Sequence, residues 1–130
     1  MKPLVEIMKL NQERYGTTFN CPKAVEKLTE ELEEFDEGFE KADTHEMVDA
    51  LADLIVIATG ELVKLGFNPE LCLKQTVKEI SSREQSPEQA SAWAAGDKIL
   101  GEKWLKNPNQ DESTLHQADY STCKLIAKSI

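Results

Sequence analysis

Between Lys23 and Leu65 the chain must bury two long apolar stretches while carrying most of its negative charge on them. Segment Glu26–Asp53 holds 12 of the 24 acidic residues and only Lys27 and Lys41 as bases, a net charge of −10. The rest of the chain has 13 basic against 12 acidic residues, so the acidity is one local feature. Val25, Leu28, Leu32, Phe35, Phe39 and Ala42 recur at alternating spacings of three and four, which predicts a helix with that stripe inward. Glu31 and Glu34 share a face on the shoulder of the stripe, and Gly38 keeps that shoulder small enough for close approach by a neighbour. Asp43, with Glu46 three residues on, reads as a capping box opening a second helix that is apolar nearly all round from Met47 to Leu65. A helix of that kind is normally the buried one.

Glu46, Asp49 and Asp53 nevertheless stack on one face at its head. Carboxylates so placed repel one another and resist desolvation, so they need a cation or must stay at the surface. Oxygen donors on two facing helices suit Mg²⁺ or Mn²⁺. A di-iron bundle would use Glu-x-x-His pairs, and neither His45 nor His116 follows a Glu by three.

Glu30-Glu31-Leu32-Glu33-Glu34, followed by Glu46-Met47-Val48-Asp49 and by Asp53 at the head of Leu-Ile-Val-Ile, resembles the E-E-x-x-E … E-x-x-D signature. That signature marks the MazG-type all-α nucleoside triphosphate pyrophosphohydrolases, a superfamily that also holds dimeric dUTPases and phosphoribosyl-ATP pyrophosphohydrolase. The resemblance covers about a third of the chain closely. It implies Mg²⁺-dependent cleavage between the α- and β-phosphates of a nucleoside triphosphate, of the deoxy series, to a monophosphate and pyrophosphate. It makes Glu31 and Glu34 metal ligands, Glu31 also catalytic, and Glu30 an outer carboxylate or base. The second half of the motif stays open. Asp53 directly precedes the apolar run but has Ala50 three residues before it; Glu46 with Asp49 keeps both letters one turn earlier; Asp49 with Asp53 is a third pairing, slightly favoured. The chemistry suits such a site, because phosphoryl transfer is chiefly positioning and charge neutralisation.

The 130 residues suffice for one domain with a single core, residues 1–130, expected as an all-α four- to five-helix bundle with a less regular C-terminal segment. No apolar run spans a bilayer, no signal peptide opens the chain, and Cys21, Cys72 and Cys123 are too few and too scattered for a disulfide framework, so a cytoplasmic protein with reduced thiols is expected. The acidity argues against nucleic acid as a partner.

Pro3–Tyr15 reads as a helix with Leu4, Val5, Met8 and Tyr15 inward; the resemblance gives its Asn11 a nucleotide contact. Asn68-Pro69-Glu70 and Ser86-Pro87-Glu88 each start a helix, the first with Leu73, Val77 and Ile80 inward as far as Arg83. Residues 90–96 read as a short helix, 105–120 as loop, and 115–130 as a final short helix or docked tail. Lys98, Lys103 and Lys106 surround Trp104, and Lys103, Trp104 and Lys106, with Arg83, are the candidate contacts to triphosphate and base. A homodimer or dimer of dimers is expected. The competing reading is a non-enzymatic acidic helical module, a nucleic-acid mimic or regulator. Such a mimic spreads its carboxylates over solvated faces, whereas Glu31, Glu34, Asp49 and Asp53 border apolar stripes.

Overall fold

A computed structural model describes residues 2–15, 18–101 and 104–125 of the chain, without the side chains of Tyr15 and Leu100. Its helices are α1 (Lys2–Tyr15), α2 (Cys21–Glu40), α3 (Thr44–Lys64), α4 (Pro69–Ser82), α5 (Pro87–Ala94) and a four-residue α6 (Lys98–Gly101), followed by 3₁₀ turns at Glu112–Thr114 and Tyr120–Cys123. Among the described residues there is no strand, and the fold is all-α with a less regular C-terminal part. The chain divides into two compact units, one running up to Cys72 and resuming at Ser121, the other Leu73–Tyr120.

The first unit is built on the α2–α3 hairpin, with α1 packed against α3. Asn20 caps α2 by accepting from the Lys23 N–H, and Asp43 caps α3 by accepting from the Glu46 N–H at 3.1 Å. Between them α2 ends in a Schellman turn, with Asp43 N–H donating to Gly38 O at 2.8 Å and Ala42 N–H to Phe39 O at 3.1 Å. Ala42, placed by periodicity in the inward stripe, is instead the turn residue, exposed and left-handed with φ 54°. Gly38 lets the hairpin close as expected: a Cβ there would meet Met47 Cγ at 3.0 Å and Met47 N at 3.1 Å. Gly60 does the same for α1, because a Cβ there would run into the amide of Asn11.

The inward face of α2 is rotated from the apolar stripe. Ala24 and Gly38 are buried and Lys27, Leu28, Glu31 and Phe35 half-buried, whereas Val25, Leu32 and Phe39 are exposed. Glu31 therefore lies in the middle of the packed face rather than on its shoulder. On α3, Ala50, Thr59, Gly60 and Val63 are buried while Val48, Leu51 and Ile55 face outward, so this helix is not wholly enclosed. Leu4 and Met8 of α1 are core residues as expected, but Val5 is exposed. α3 closes on Gly66 (φ 91°), and the chain returns at its far end to dock here: Asn68 N–H donates to Cys123 O at 2.7 Å and Leu125 N–H to Gly66 O at 2.9 Å. Cys72 and Cys123 are buried and form no disulfide.

The second unit is held differently. The expected apolar stripe Leu73, Val77 and Ile80 of α4 is exposed. In its place two buried amides bind backbone to backbone. Gln89 donates to Gly101 O at 3.0 Å and accepts from Leu105 N–H at 2.7 Å. Gln110 donates to Ser82 O at 2.6 Å and accepts from Glu84 N–H at 2.8 Å. His116 and Asp119 both meet the Gln75 carboxamide, and Ser86 caps α5.

Candidate functional site

The rotation of α2 carries Glu31 and Glu34 onto Asp53 of α3. One carboxylate oxygen from each of the three lies within 4.8 Å of the others. Glu31 Oε2 is buried with no hydrogen-bond partner. Burial, then a hydrogen bond with Glu34, then the charges of Asp53, Glu34 and Asp49 push the Glu31 carboxyl up to about 7. Asp53 is raised too, first by burial and then by Asp49 and Glu34, against a lowering hydrogen bond from Glu31. Three carboxylates converging from two helices, one of them with a buried oxygen that has no donor, form an electrostatic deficit that a hard divalent cation cancels. The donor set fits such an ion.

Asp49 is exposed and outside this group, though close enough for its charge to act on Glu31 and Asp53. Glu46 is half-buried and Glu30 exposed, and neither joins the group. Ala50, where the E-x-x-D pattern registered on Asp53 places its Glu, is fully buried at 0 % exposure, so that position adds packing rather than a charge.

Beside the carboxylates opens a cavity of about 310 Å³ lined by Asn11, Lys27, Glu31, Asp53, Val56, Ile57 and Glu61. Asn11 thus stands next to the acidic group; it is buried and donates to Ile7 O at 2.9 Å. Lys27 and Glu61 were not singled out from the sequence. Their signal is spacing: Lys27 precedes Glu31 by four, and Asp53, Ile57 and Glu61 recur every fourth residue. Both also line a neighbouring cavity with Thr18, Asn20, Lys23 and Lys64.

The other candidate contacts lie in the second unit. Arg83, Trp104 and Lys106 line one cavity of about 430 Å³ there, together with Glu79, Leu115, His116 and Gln117. Arg83 pairs with Glu79 at 3.7 Å, and Trp104 is exposed. Lys103 lies outside the described residues.

The hairpin, its three convergent carboxylates and the apolar-walled cavity define an all-α protein of the MazG-like pyrophosphohydrolase class. More narrowly, the family model of phosphoribosyl-ATP pyrophosphohydrolase matches residues 9–79, over half the chain and the whole of this site, and the chain belongs to that family. No curated protein and no solved structure matches it.

Proposed function

We propose that the protein is a Mg²⁺-dependent nucleoside triphosphate pyrophosphohydrolase of the deoxynucleotide series, converting NTP and water to NMP and pyrophosphate. One observation carries the reading: Glu31, Glu34 and Asp53 converge from two helices with a buried oxygen of Glu31 lacking any donor. Family membership supports a hydrolase acting on a phosphoanhydride. Mg²⁺, or Mn²⁺ in its place, supplies charge neutralisation on the phosphates and acidifies the attacking water. Glu31, Glu34 and Asp53 hold it, Asp49 adds outer negative charge, and Glu46 lies further back along α3. Glu31, through an oxygen the ion leaves free, or the exposed Glu30 accepts a proton from the water. Val56 and Ile57 give the nucleoside an apolar wall beside the acids. Arg83, Trp104 and Lys106 offer cations and an aromatic face to a nucleotide in the second unit.

The exposed apolar residues Val25, Leu32 and Phe39 of α2 and Val48, Leu51 and Ile55 of α3 support association into a homodimer or dimer of dimers. No described helix is long and apolar enough to cross a membrane, in keeping with a cytoplasmic location. The test is pyrophosphate release from a panel of ribo- and deoxynucleoside triphosphates, with phosphoribosyl-ATP included because of the family matched. Mg²⁺-dependent release from at least one is expected. No release from any member, with Mg²⁺ or Mn²⁺, leaves the acidic interaction module as the reading.

A further inference from the structure

Glu61 sits two helical turns beyond Asp53 on the same face of α3, about 12 Å along the axis by helical rise. It is separate from the carboxylates that converge on Glu31. Its side chain is only 12 % exposed, and its Oε1 faces the ammonium of Lys64, itself 8 % exposed, at 3.3 Å. Its Oε2 is buried and has no hydrogen-bond partner. A buried carboxylate oxygen is ordinarily paired, because stripping its water without replacing the donor is costly. Glu61 nonetheless lines the cavity that has Glu31 and Asp53 in its wall and Val56 and Ile57 as apolar sides. Asn11, in the same wall, has its amide nitrogen engaged by Ile7 O, and Lys27, which also lines it, makes no hydrogen bond to that oxygen of Glu61.

We propose that Glu61 is a specificity-determining residue: its unpartnered oxygen accepts a hydrogen bond from the exocyclic amine of the substrate's base, so the site selects adenine or cytosine nucleotides over guanine, thymine and uracil. The proposal rests on reading the cavity as a nucleotide pyrophosphohydrolase site. With the triphosphate at Glu31, Glu34 and Asp53, the nucleoside extends along α3 between Val56 and Ile57, and its base reaches Glu61. An amino group supplies the donor that Oε2 lacks. Guanine, thymine and uracil present a carbonyl there, O6 or O4 in place of the amine, and two acceptors face to face repel. Sites that pair a buried polar group with a substrate N–H discriminate strongly, because the analogue without it leaves that group stranded.

The experiment pairs turnover with binding. Wild-type kcat/KM is expected to be higher for dATP or dCTP than for dGTP, dTTP and dUTP. Glu61→Gln keeps the shape and the oxygen facing Lys64 but turns an N–H₂ toward the base. It should lower kcat/KM for the preferred of dATP and dCTP by about ten- to a hundredfold and leave dGTP, dTTP and dUTP within about threefold or improved. The same reversal should appear in calorimetric affinities for dAMP, dCMP, dGMP, dTMP and dUMP. That arm needs no hydrolysis, so it tests Glu61 even if the pyrophosphohydrolase reading fails. Lys64→Gln serves as control: it removes the counter-ion but leaves the ratio between bases unchanged. An equal proportional loss for every base, no change, or the same pattern in Lys64→Gln would make Glu61 a structural partner of Lys64 and overturn the proposal.

Discussion

The two units solve the same packing problem with opposite materials. The first is made from helices of 14 to 21 residues whose small buried positions, Ala24, Gly38, Ala50 and Gly60, let backbones approach closely. The second is made from short elements laced together by the carboxamides of Gln89 and Gln110. Their cavities differ in the same sense. One is walled by Glu31, Asp53 and Glu61 against Lys27, with apolar sides, the other by Arg83 and Lys106 against Glu79, with Trp104. Close helix packing can hold like charges together against their repulsion, because two long helices over-determine where each carboxylate sits. A segment stitched by single hydrogen bonds cannot hold such repulsion, and it carries instead cations that remain partly in solvent.

The largest test of that contrast falls on the acidic group. Glu31→Gln, Glu34→Gln and Asp53→Asn should each lower kcat/KM by more than about a hundredfold while circular dichroism stays helical, with Asp49→Asn milder. Near-full activity in either glutamate variant at saturating Mg²⁺ would break the metal assignment. In chelator, Glu31→Gln should melt at a higher temperature than wild type at pH 8. The wild-type Glu31 carboxyl, raised from 4.5 to about 7, binds more protons folded than unfolded between those values. Its contribution is therefore most favourable in acid and is lost as pH rises through about 7. The difference between variant and wild type should shrink at pH 5, and a difference independent of pH would mean that repulsion at Glu31 is not what strains the metal-free hairpin.

In the second unit, Gln89→Ala or Gln110→Ala removes both ends of a buried bridge, at a cost of about 1–3 kcal/mol for each polar group left unsatisfied. Metal affinity, measured by Mn²⁺ titration, should hold in these variants. Lost Mn²⁺ binding would show that the acidic group depends on the amide lacing. Lys106→Ala or Arg83→Ala should weaken binding of metal-free inorganic triphosphate to the second unit's own cavity by about tenfold, more at low salt, as a charge-assisted contact to phosphate does. Values equal to wild type at both salt concentrations would assign that cavity to scaffold. The smallest effect concerns the hairpin turn. Ala42→Gly relieves a left-handed alanine and should stabilise the protein by about 1 kcal/mol, read as a higher denaturant midpoint with kcat/KM unchanged.

The sequence was most legible where chemistry is local. Caps at Asp43, Asn68 and Ser86 and the glycine exit at Gly66 mark the helix ends, since each needs only its own neighbours. Which side of a helix is buried was harder to read, because periodicity finds a stripe but not its partner. On α2 the true inward face runs through Ala24, Glu31 and Gly38, small or charged residues that hydrophobicity ranks as outside. Gln89 and Gln110 were invisible for a related reason: a glutamine becomes core only when two backbone segments far apart in sequence need its two ends. Glu61 fell from view in the apolar tail of α3, where a single acid suggests a solvated edge.

One consequence follows from the three-residue turn at Lys41–Asp43. The partners in the acidic group are tethered through it, so Glu31 and Glu34 meet Asp53 at a local concentration fixed by the chain itself. Assembly of the group is a first-order event. Diluting the protein until copies separate should leave each copy's cation affinity where it was, and only proteolysis between α2 and α3 would turn that affinity into a function of concentration.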